Sequence, residues 1–372
     1  MRVLFWSGTF WPQIGGVEIL AAKFLPALRE RGYDYVVVAP KSFADLPDEA
    51  QFKGIPVHRF AFQSNPANGN LDHFMTIRQK ISALKRGFAP HLVHINAVSV
   101  DNFFHLSTIN AYRAPVLVTL HGKWMSRSEA IVEHTLRNAD WVVGCSAAIL
   151  EEGRKLAPEI ANRSSTIYNG VEPPLLSPAS LPFDPPRLLC LGRLSPEKGF
   201  DVALEAFAAI MDRFPQSRLI VAGNGPSRSE LEQQAARAGI THAVQFTGWV
   251  APDTVQSLIN GATMVVMPSR EDSLPLVALE AAQLARPIVA TRVGGLPEVV
   301  VHHETGLLVD KEDSAGLAQA ISFLIDNPDA AVRMGKAAQR RVEAVFSWER
   351  HVDAYDALYR RLIGENSPTR VV

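Results

Sequence analysis

The sequence predicts an α/β protein built from two doubly wound parallel-sheet domains, and three observations carry that prediction. Short apolar runs of strand length alternate with longer stretches of helical period. A proline-rich segment interrupts the alternation near the middle of the chain, and the pattern restarts after it. The 372 residues exceed the roughly 100 to 200 of an ordinary domain, so each half is long enough to bury its own core.

In the first half, Val3 to Trp6, Tyr35 to Ala39, Leu92 to Ile95, Pro115 to Thr119 and Trp141 to Gly144 read as strands. Helical stretches follow at 17–31, 100–112, 127–138 and 146–156. Runs apolar throughout suit a parallel sheet covered by helices on both faces. Val171 to Pro186 then carries six prolines, which lack the N–H that a helix or a central strand needs. This divides the chain into a first domain at 1–172, a linker at 173–186 and a second domain at 187–347. The second half has strands at Leu188 to Leu191, Leu219 to Ala222, Val244 to Thr247, Met264 to Met267, Ile288 to Ala290 and Gly306 to Val309, with helices at 201–213, 227–238 and 276–285. Each half thus reads as a Rossmann-like domain. Trp348, Val352, Tyr355, Tyr359 and Leu362 recur every three or four residues, predicting an amphipathic helix at 348–363 with an apolar stripe to bury.

A formal net charge of −1 argues against a nucleic-acid binder that relies on bulk basic charge. Cys145 and Cys190 lie in strand-like apolar runs, so they read as small buried hydrophobes of a reducing compartment rather than zinc ligands. No window approaches the roughly 20 consecutive apolar residues of a membrane-spanning helix. The opening Met1-Arg-Val-Leu-Phe-Trp is shorter than a signal-peptide core and reads as a first strand, so the expected location is the cytoplasm.

Four loops between a strand and a helix carry the chemistry. Gly15 and Gly16 precede a helix whose free N–H groups suit a phosphate, although a tight turn alone would use the same residues. Gly192-Arg-Leu-Ser-Pro-Glu-Lys-Gly199 sets Arg193 and Lys198 at the carboxyl end of a strand, where open α/β sheets bind ligands and two cations suit a diphosphate. Ala222-Gly-Asn-Gly-Pro226 is a further glycine turn. In Met267 to Ala282, Asp272 and Glu280 stand eight positions apart, one in the loop and one in the helix, as acceptors for ligand hydroxyls. Helix-start acids are also ordinary dipole partners.

In this order the pieces resemble the retaining family 4 glycosyltransferases, whose fold is GT-B, two Rossmann-like domains facing an interdomain cleft. Thr119-Leu-His-Gly122, Ile167-Tyr-Asn-Gly-Val171, Phe246-Thr-Gly-Trp-Val250 and the 267–309 region extend the resemblance over nearly the whole chain. It implies a nucleotide-sugar donor on the second domain, an acceptor on the first, and a C-terminal helix that crosses back to the first. Arg193 and Lys198 would hold the donor diphosphate, with Gly15 and Gly16 approaching it from the opposite domain. Glu280 would take the ribose hydroxyls, and Val250, Leu276 and Val277 would line the donor site. Asp272 stands where the family has a Glu that contacts the sugar; Glu271 is its neighbour but breaks the spacing. The family's Phe-Gly after that acid is Leu274-Pro275 here. His121 falls near the donor sugar, making His121, Arg193, Lys198 and Asp272 the catalytic candidates. His94 and Asn96 are acceptor-side candidates, and Glu18 either binds an acceptor hydroxyl or caps its helix.

The implied reaction moves a sugar, from a UDP-sugar by preference, to a hydroxyl of a saccharide or lipid-linked acceptor. The anomeric configuration is retained, no cofactor is used and no metal cage is evident. A nucleotide-sugar epimerase of the same fold, or a non-catalytic nucleotide-sugar binder, are the competing readings. At Thr76 to Phe88, Ile77, Ile81, Leu84 and Phe88 share one face, flanked by Arg78, Lys80, Lys85 and Arg86. Such a helix either packs on its own sheet or docks peripherally on anionic lipid at the inner membrane surface.

Overall fold

The computed structural model describes residues 1–62, 71–124 and 129–365. They divide into two units, one comprising 1–168 with the chain from His351 onward and the other 169–350. In the first unit the chain runs β1 (Arg2–Ser7), α1 (Gly16–Glu30), β2 (Asp34–Pro40), β3 (Glu49–Phe52), β4 (Ile55–Phe60), α2 (Leu71–Phe88), β5 (Leu92–Asn96) and α3 (Asn102–Ser107). It continues through β6 (Val116–Leu120), α4 (Glu129–Arg137), β7 (Trp141–Gly144), α5 (Ala147–Leu156) and β8 (Ser164–Thr166). The sheet order is β3-β4-β2-β1-β5-β6-β7-β8, parallel except for the β3–β4 pair. The order doubles back on β1, so the loops after β1 and β5 diverge to opposite sides and leave a crevice at the strand ends.

The second unit holds β9 (Arg187–Leu191), α6 (Phe200–Ile210), β10 (Arg218–Ala222), α7 (Arg228–Arg237), β11 (Val244–Gly248), α8 (Pro252–Asn260) and β12 (Met264–Met267). Then follow α9 (Leu276–Gln283), β13 (Ile288–Thr291), α10 (Leu296–Val299), β14 (Gly306–Val309), α11 (Ser314–Asp326) and α12 (Pro328–Val345). Its sheet, β11-β10-β9-β12-β13-β14, is parallel throughout. Leu188, Cys190, Val221 and Val266 share a core with Phe207 of α6 and Leu317 and Ile321 of α11. The chain ends in α13 (Trp348–Glu365).

Every apolar run read as a strand is one, and the two-sheet architecture stands. The differences have local causes. The helix expected over 100–112 stops at Ser107 because the Thr108 hydroxyl donates to the carbonyls of Phe104 and His105, and Lys85 Nζ takes the carbonyls of His105 and Thr108. The first two residues of the 127–138 stretch lie outside the described residues. The β3–β4 hairpin turns on Lys53 and Gly54, both at positive φ, the geometry that matches strand twist in a two-residue turn. Helices α8, α11 and α12 also go beyond the elements read from the sequence. The basic reading of 76–88 needs correction at Lys85, which is buried with Ile77 and Ile81 rather than standing on the polar face. This face therefore packs inside the first unit. No helix of the described residues is long and apolar enough to cross a membrane.

Residues 173–186 run along the second unit, held by side chains where prolines offer no donor. Leu175 N and Ala179 N donate to Gln256 Oε1 and Asn260 Oδ1 at 2.8 and 2.9 Å, and the buried Arg286 guanidinium donates to the Ala179 carbonyl.

From His351 on, α13 packs on the first unit. Tyr355 and Tyr359 pack edge-on to Phe24 of α1, and Tyr359 Oη lies 2.6 Å from His94 Nδ1. Tyr33 donates to Asp356 at 2.6 Å, and Arg31 pairs with Asp353 at 2.6 Å. His351 Nδ1 donates to the Tyr168 carbonyl at 2.7 Å, and burial pushes its pKa down to about 4. An unfolded histidine ionises near 6.5, so between those values the unfolded chain binds more protons. Stability is therefore predicted to fall as pH drops below about 6.5 toward 4, by at most about 3 kcal/mol from this residue. Denaturant unfolding at neutral pH and at about pH 5 checks this. His351→Gln is expected to lose less on acidification than the parent, and an equal loss contradicts the assignment.

Candidate active site

The densest cluster of candidates lies at the carboxyl ends of β9, β12 and β13. After β9 the chain passes Gly192 and Arg193 and makes a tight turn at Pro196–Lys198. Gly199, at φ 64, then opens α6. A Cβ on Gly199 would overlap the Pro268 carbonyl oxygen, and one on Gly294, at φ 49, would overlap the Asp272 carbonyl oxygen. Only glycine permits both approaches. They bring the loops after β9, β12 and β13 into backbone contact, with Gly295 N donating to the Asp272 carbonyl at 3.0 Å. The third glycine turn braces the first, because Leu194 N donates to Asn224 O at 3.0 Å.

Within this frame Lys198 Nζ donates to Asp272 Oδ2 at 2.7 Å, and Ser269 Oγ donates to the same oxygen at 3.1 Å. Asp272 is the enclosed acid, with a side chain 8% exposed, whereas Glu271 faces solvent. Arg193 is exposed. Val250, Leu276 and Val277 are half-buried at the end of β11 and the start of α9, as is Glu280 one turn further along α9.

Arg270 is the residue that sequence reasoning passed over. Its guanidinium grips Asp201 at 2.6 and 2.8 Å, Glu312 at 2.5 and 2.9 Å and the Pro196 carbonyl at 2.7 Å. Its backbone N donates to Glu197 O at 2.8 Å. Hydrogen bonds to Asp201 and Glu312 push its pKa further up, so it is a permanent cation joining the Lys198 and Asp272 loops. Its partners lie 69 and 42 residues away, and no local motif announces them.

In the first unit, Gly15 is extended and N-caps α1, with Gly16 exposed as the first helical residue. The Glu18 carboxylate folds back to within 2.6 Å of where a Gly15 Cβ would stand, which favours its helix-start role. Asn96 and His121, at the ends of adjacent strands β5 and β6, are bonded at 2.8 Å. Asn96 Nδ2 donates to Ser7 Oγ at 3.4 Å, so its Oδ1 faces the imidazole and the His121 proton resides on Nε2. Burial, with a smaller contribution from His351, pushes His121 down to about 3 and keeps it neutral.

His94 is a correction. Fully buried, it is engaged on both nitrogens, by Tyr359 at 2.6 Å and Thr119 at 2.8 Å, so no ring nitrogen remains for an acceptor. Its position at the end of a strand imitates a site residue, but α13 covers it. Among the described residues no three His, Cys, Asp or Glu side chains are grouped to hold a metal ion.

A doubly wound, mainly parallel sheet in each unit is the architecture of GT-B proteins, and the family models place the chain among the glycosyltransferases of that class. A family model described as "Glycosyltransferase Family 4" matches residues 14–202, and one described as "Glycosyl transferases group 1" matches 177–341. The chain belongs to glycosyltransferase family 4. It is 29% identical to a glycogen synthase of Mycobacterium tuberculosis, over 96% of this chain and 94% of that one. A D-inositol 3-phosphate glycosyltransferase of Corynebacterium urealyticum is 38% identical over 46% of this chain and 42% of its own length. Among solved structures, sucrose-phosphate synthase from Thermosynechococcus elongatus superposes with a TM-score of 0.85 at 24% identity, covering 98% of this chain and all of that one. Anabaena Alr3699/HepE in complex with UDP gives 0.77 at 23% identity, covering 96% and 99%.

Two glycine substitutions test the loop frame. Gly294→Ala is predicted to cost more than about 2 kcal/mol, because it adds both a left-handed alanine and a backbone overlap. At Gly87, on α2, a Cβ meets nothing within 4 Å, so Gly87→Ala is predicted to stabilise by about 0.5–1 kcal/mol. Urea unfolding of both variants measures the contrast.

Proposed function

We propose that the protein is a retaining glycosyltransferase that moves a sugar from a nucleotide-diphosphate sugar, UDP-linked by preference, to a hydroxyl of a saccharide or lipid-linked acceptor. The observation that carries the donor assignment is the Lys198–Asp272 pair, fixed by glycine contacts and Arg270 at the carboxyl strand ends of the second unit. Lys198 and Arg193 neutralise the diphosphate, Glu280 accepts from the ribose hydroxyls, and Val250, Leu276 and Val277 line the donor. Asp272 orients Lys198. The preference for uridine draws support from the relatives, since Alr3699/HepE has been crystallised with UDP and with UDP-glucose.

On the first unit, Gly15 and Gly16 put no side chain of their own over the start of α1, and an anionic group reaching it would compete with the Glu18 carboxylate that folds back there. Asn96, His121 and Glu18 are the polar groups on the acceptor side. His121 is neutral, so it adds no charge to the acceptor side. In the proposed step, the bond from the anomeric carbon to the phosphate oxygen breaks while a bond to the acceptor oxygen forms on the same face. The acceptor's proton passes to the departing phosphate oxygen. Lys198 and Arg193 stabilise the negative charge that develops there.

Calorimetric titration with UDP, GDP and ADP, without added metal, tests the donor half. UDP is expected to bind tightest, and Arg193→Ala with Lys198→Ala to weaken it by more than about tenfold, since each charged hydrogen bond contributes about 1.5–3 kcal/mol. Equal binding by parent and double variant rejects the diphosphate site. For the acceptor half, proton NMR of the first product formed from an α-linked donor is expected to give an α-linkage. A β-linkage overturns retention.

A further inference from the structure

Helix α13 delivers two side chains to the underside of the His121 pair. A cavity of about 10 Å³, the size of one water, is lined by Asn96 and His121 from the strand ends, His94 from β5, Leu20, Ala21 and Phe24 from α1, and His351 and Tyr355 from α13. We propose that His351 is a positioning residue for His121. It holds that imidazole in the neutral tautomer with Nε2–H on Asn96 and the Nδ1 lone pair left as an acceptor. The inference rests on the proposed role of His121 in transfer and extends it to a residue far away in sequence.

The geometry carries the argument. A chain of donations runs from His121 Nε2 to Asn96 Oδ1 at 2.8 Å, from Asn96 Nδ2 to Ser7 Oγ at 3.4 Å, and from Ser7 Oγ to Thr9 O at 2.6 Å. Its direction fixes Nε2 as the protonated nitrogen for as long as the ring keeps this orientation, and keeping the ring there is the part given to His351. The other polar groups of the cavity are committed elsewhere. His94 is closed by Tyr359 and Thr119, and Tyr355 Oη lies 3.0 Å from Thr119 Oγ1. The wall from α1 is apolar. His351 is oriented by donation from Nδ1 to the Tyr168 carbonyl at 2.7 Å and by edge contacts with Phe24 and Tyr355 at 5.7 and 5.0 Å. With no carboxylate among the lining residues, a cavity this small accommodates no imidazolium without a desolvation cost. The titratable groups facing His121 there are His94, His351 and Tyr355, all of them neutral at physiological pH. His351 thus fills the volume that would otherwise admit solvent and a second ring orientation for His121.

The test is long-range nitrogen–proton NMR of the histidine rings in the full chain, across roughly pH 8 to 5. His121 is expected as a single Nε2–H tautomer that does not protonate in this range. His351→Gln, which can still donate to the Tyr168 carbonyl, is expected to retain that signature. His351→Leu and the shorter His351→Asn are each expected to give mixed tautomers or protonation of His121 above pH 5. In transfer assays the same two variants are expected to lower kcat about tenfold, with the donor KM changed less than twofold. Should Leu destabilise the fold, His351→Asn alone decides. An unchanged His121 signature in a folded Leu or Asn variant overturns the proposal. Because the NMR reading needs no transfer activity, failure of the glycosyltransferase mechanism would leave this result distinct.

Discussion

The candidate site of the second unit depends on two of the places where backbone meets backbone with no room for a Cβ: Gly199 against Pro268, and Gly294 against Asp272. A parallel sheet fixes its strands by regular hydrogen bonding, but the loops at its carboxyl end have no ladder of their own. They need another source of register, and close packing supplies it. Once the two glycines bring the three loops together, a side chain on one has few positions relative to a side chain on the next. The Lys198–Asp272 distance of 2.7 Å follows from that restriction as well as from charge. Arg270 adds an ionic clasp at the solvent edge, where exposed pairs alone contribute little. Its bidentate grip on two carboxylates, with a carbonyl besides, makes it a network of defined geometry.

The first unit solves the same problem differently. Its strand-end residues Asn96 and His121 are set by a polar chain that starts at Ser7 of β1, and α13 packs on the face behind them. That helix brings Tyr355, Tyr359 and His351 against Phe24 and His94, burying aromatic area where most other sheet positions carry aliphatics. Removing imidazoles from water lowers their pKa, and the cluster is therefore uncharged. Charge beside this cluster lies on residues such as Arg31, Asp353 and Asp356, and the ends of β5 and β6 carry only the uncharged Asn96 and His121.

Central strands were legible because both of their faces are buried, so their sequences have to be continuously apolar. The β3–β4 hairpin was harder to read because its residues alternate in exposure and Pro56 interrupts the run. Helices α11 and α12 did leave signals, namely the Asp313 cap on Gly316 and the Asn327-Pro328 boundary, which a closer reading would use. The site loops were legible through clustered glycines. Their fixers were not, because Arg270 and Asp201 meet across 69 residues and His94 and Tyr359 across 265. Lys85 shows the limit of helical periodicity. Its aliphatic stem sits on the apolar face, while its ammonium finds the carbonyls of His105 and Thr108 inside the fold.

The aspartate at 272 bears on how the donor would be held. At 2.7 Å and an effective dielectric of about 20, its attraction to Lys198 is about 6 kcal/mol, but enclosing the two charges costs several kcal/mol each. The net contribution is therefore small, and the pair is a positional device more than a stabilising one. A diphosphate brings at least two negative charges to the same ammonium and can draw on it without dismantling the loops, since Ser269 keeps its hydrogen bond to Asp272. A glutamate would reach one methylene further, toward a sugar; aspartate stays on its lysine. On the proposed reaction, this chain thus spends its acid at 272 on orienting the cation under the leaving group. On the same reading Pro275, which has no N–H to offer, would shift recognition of the sugar ring in the same direction, away from the 272–275 turn.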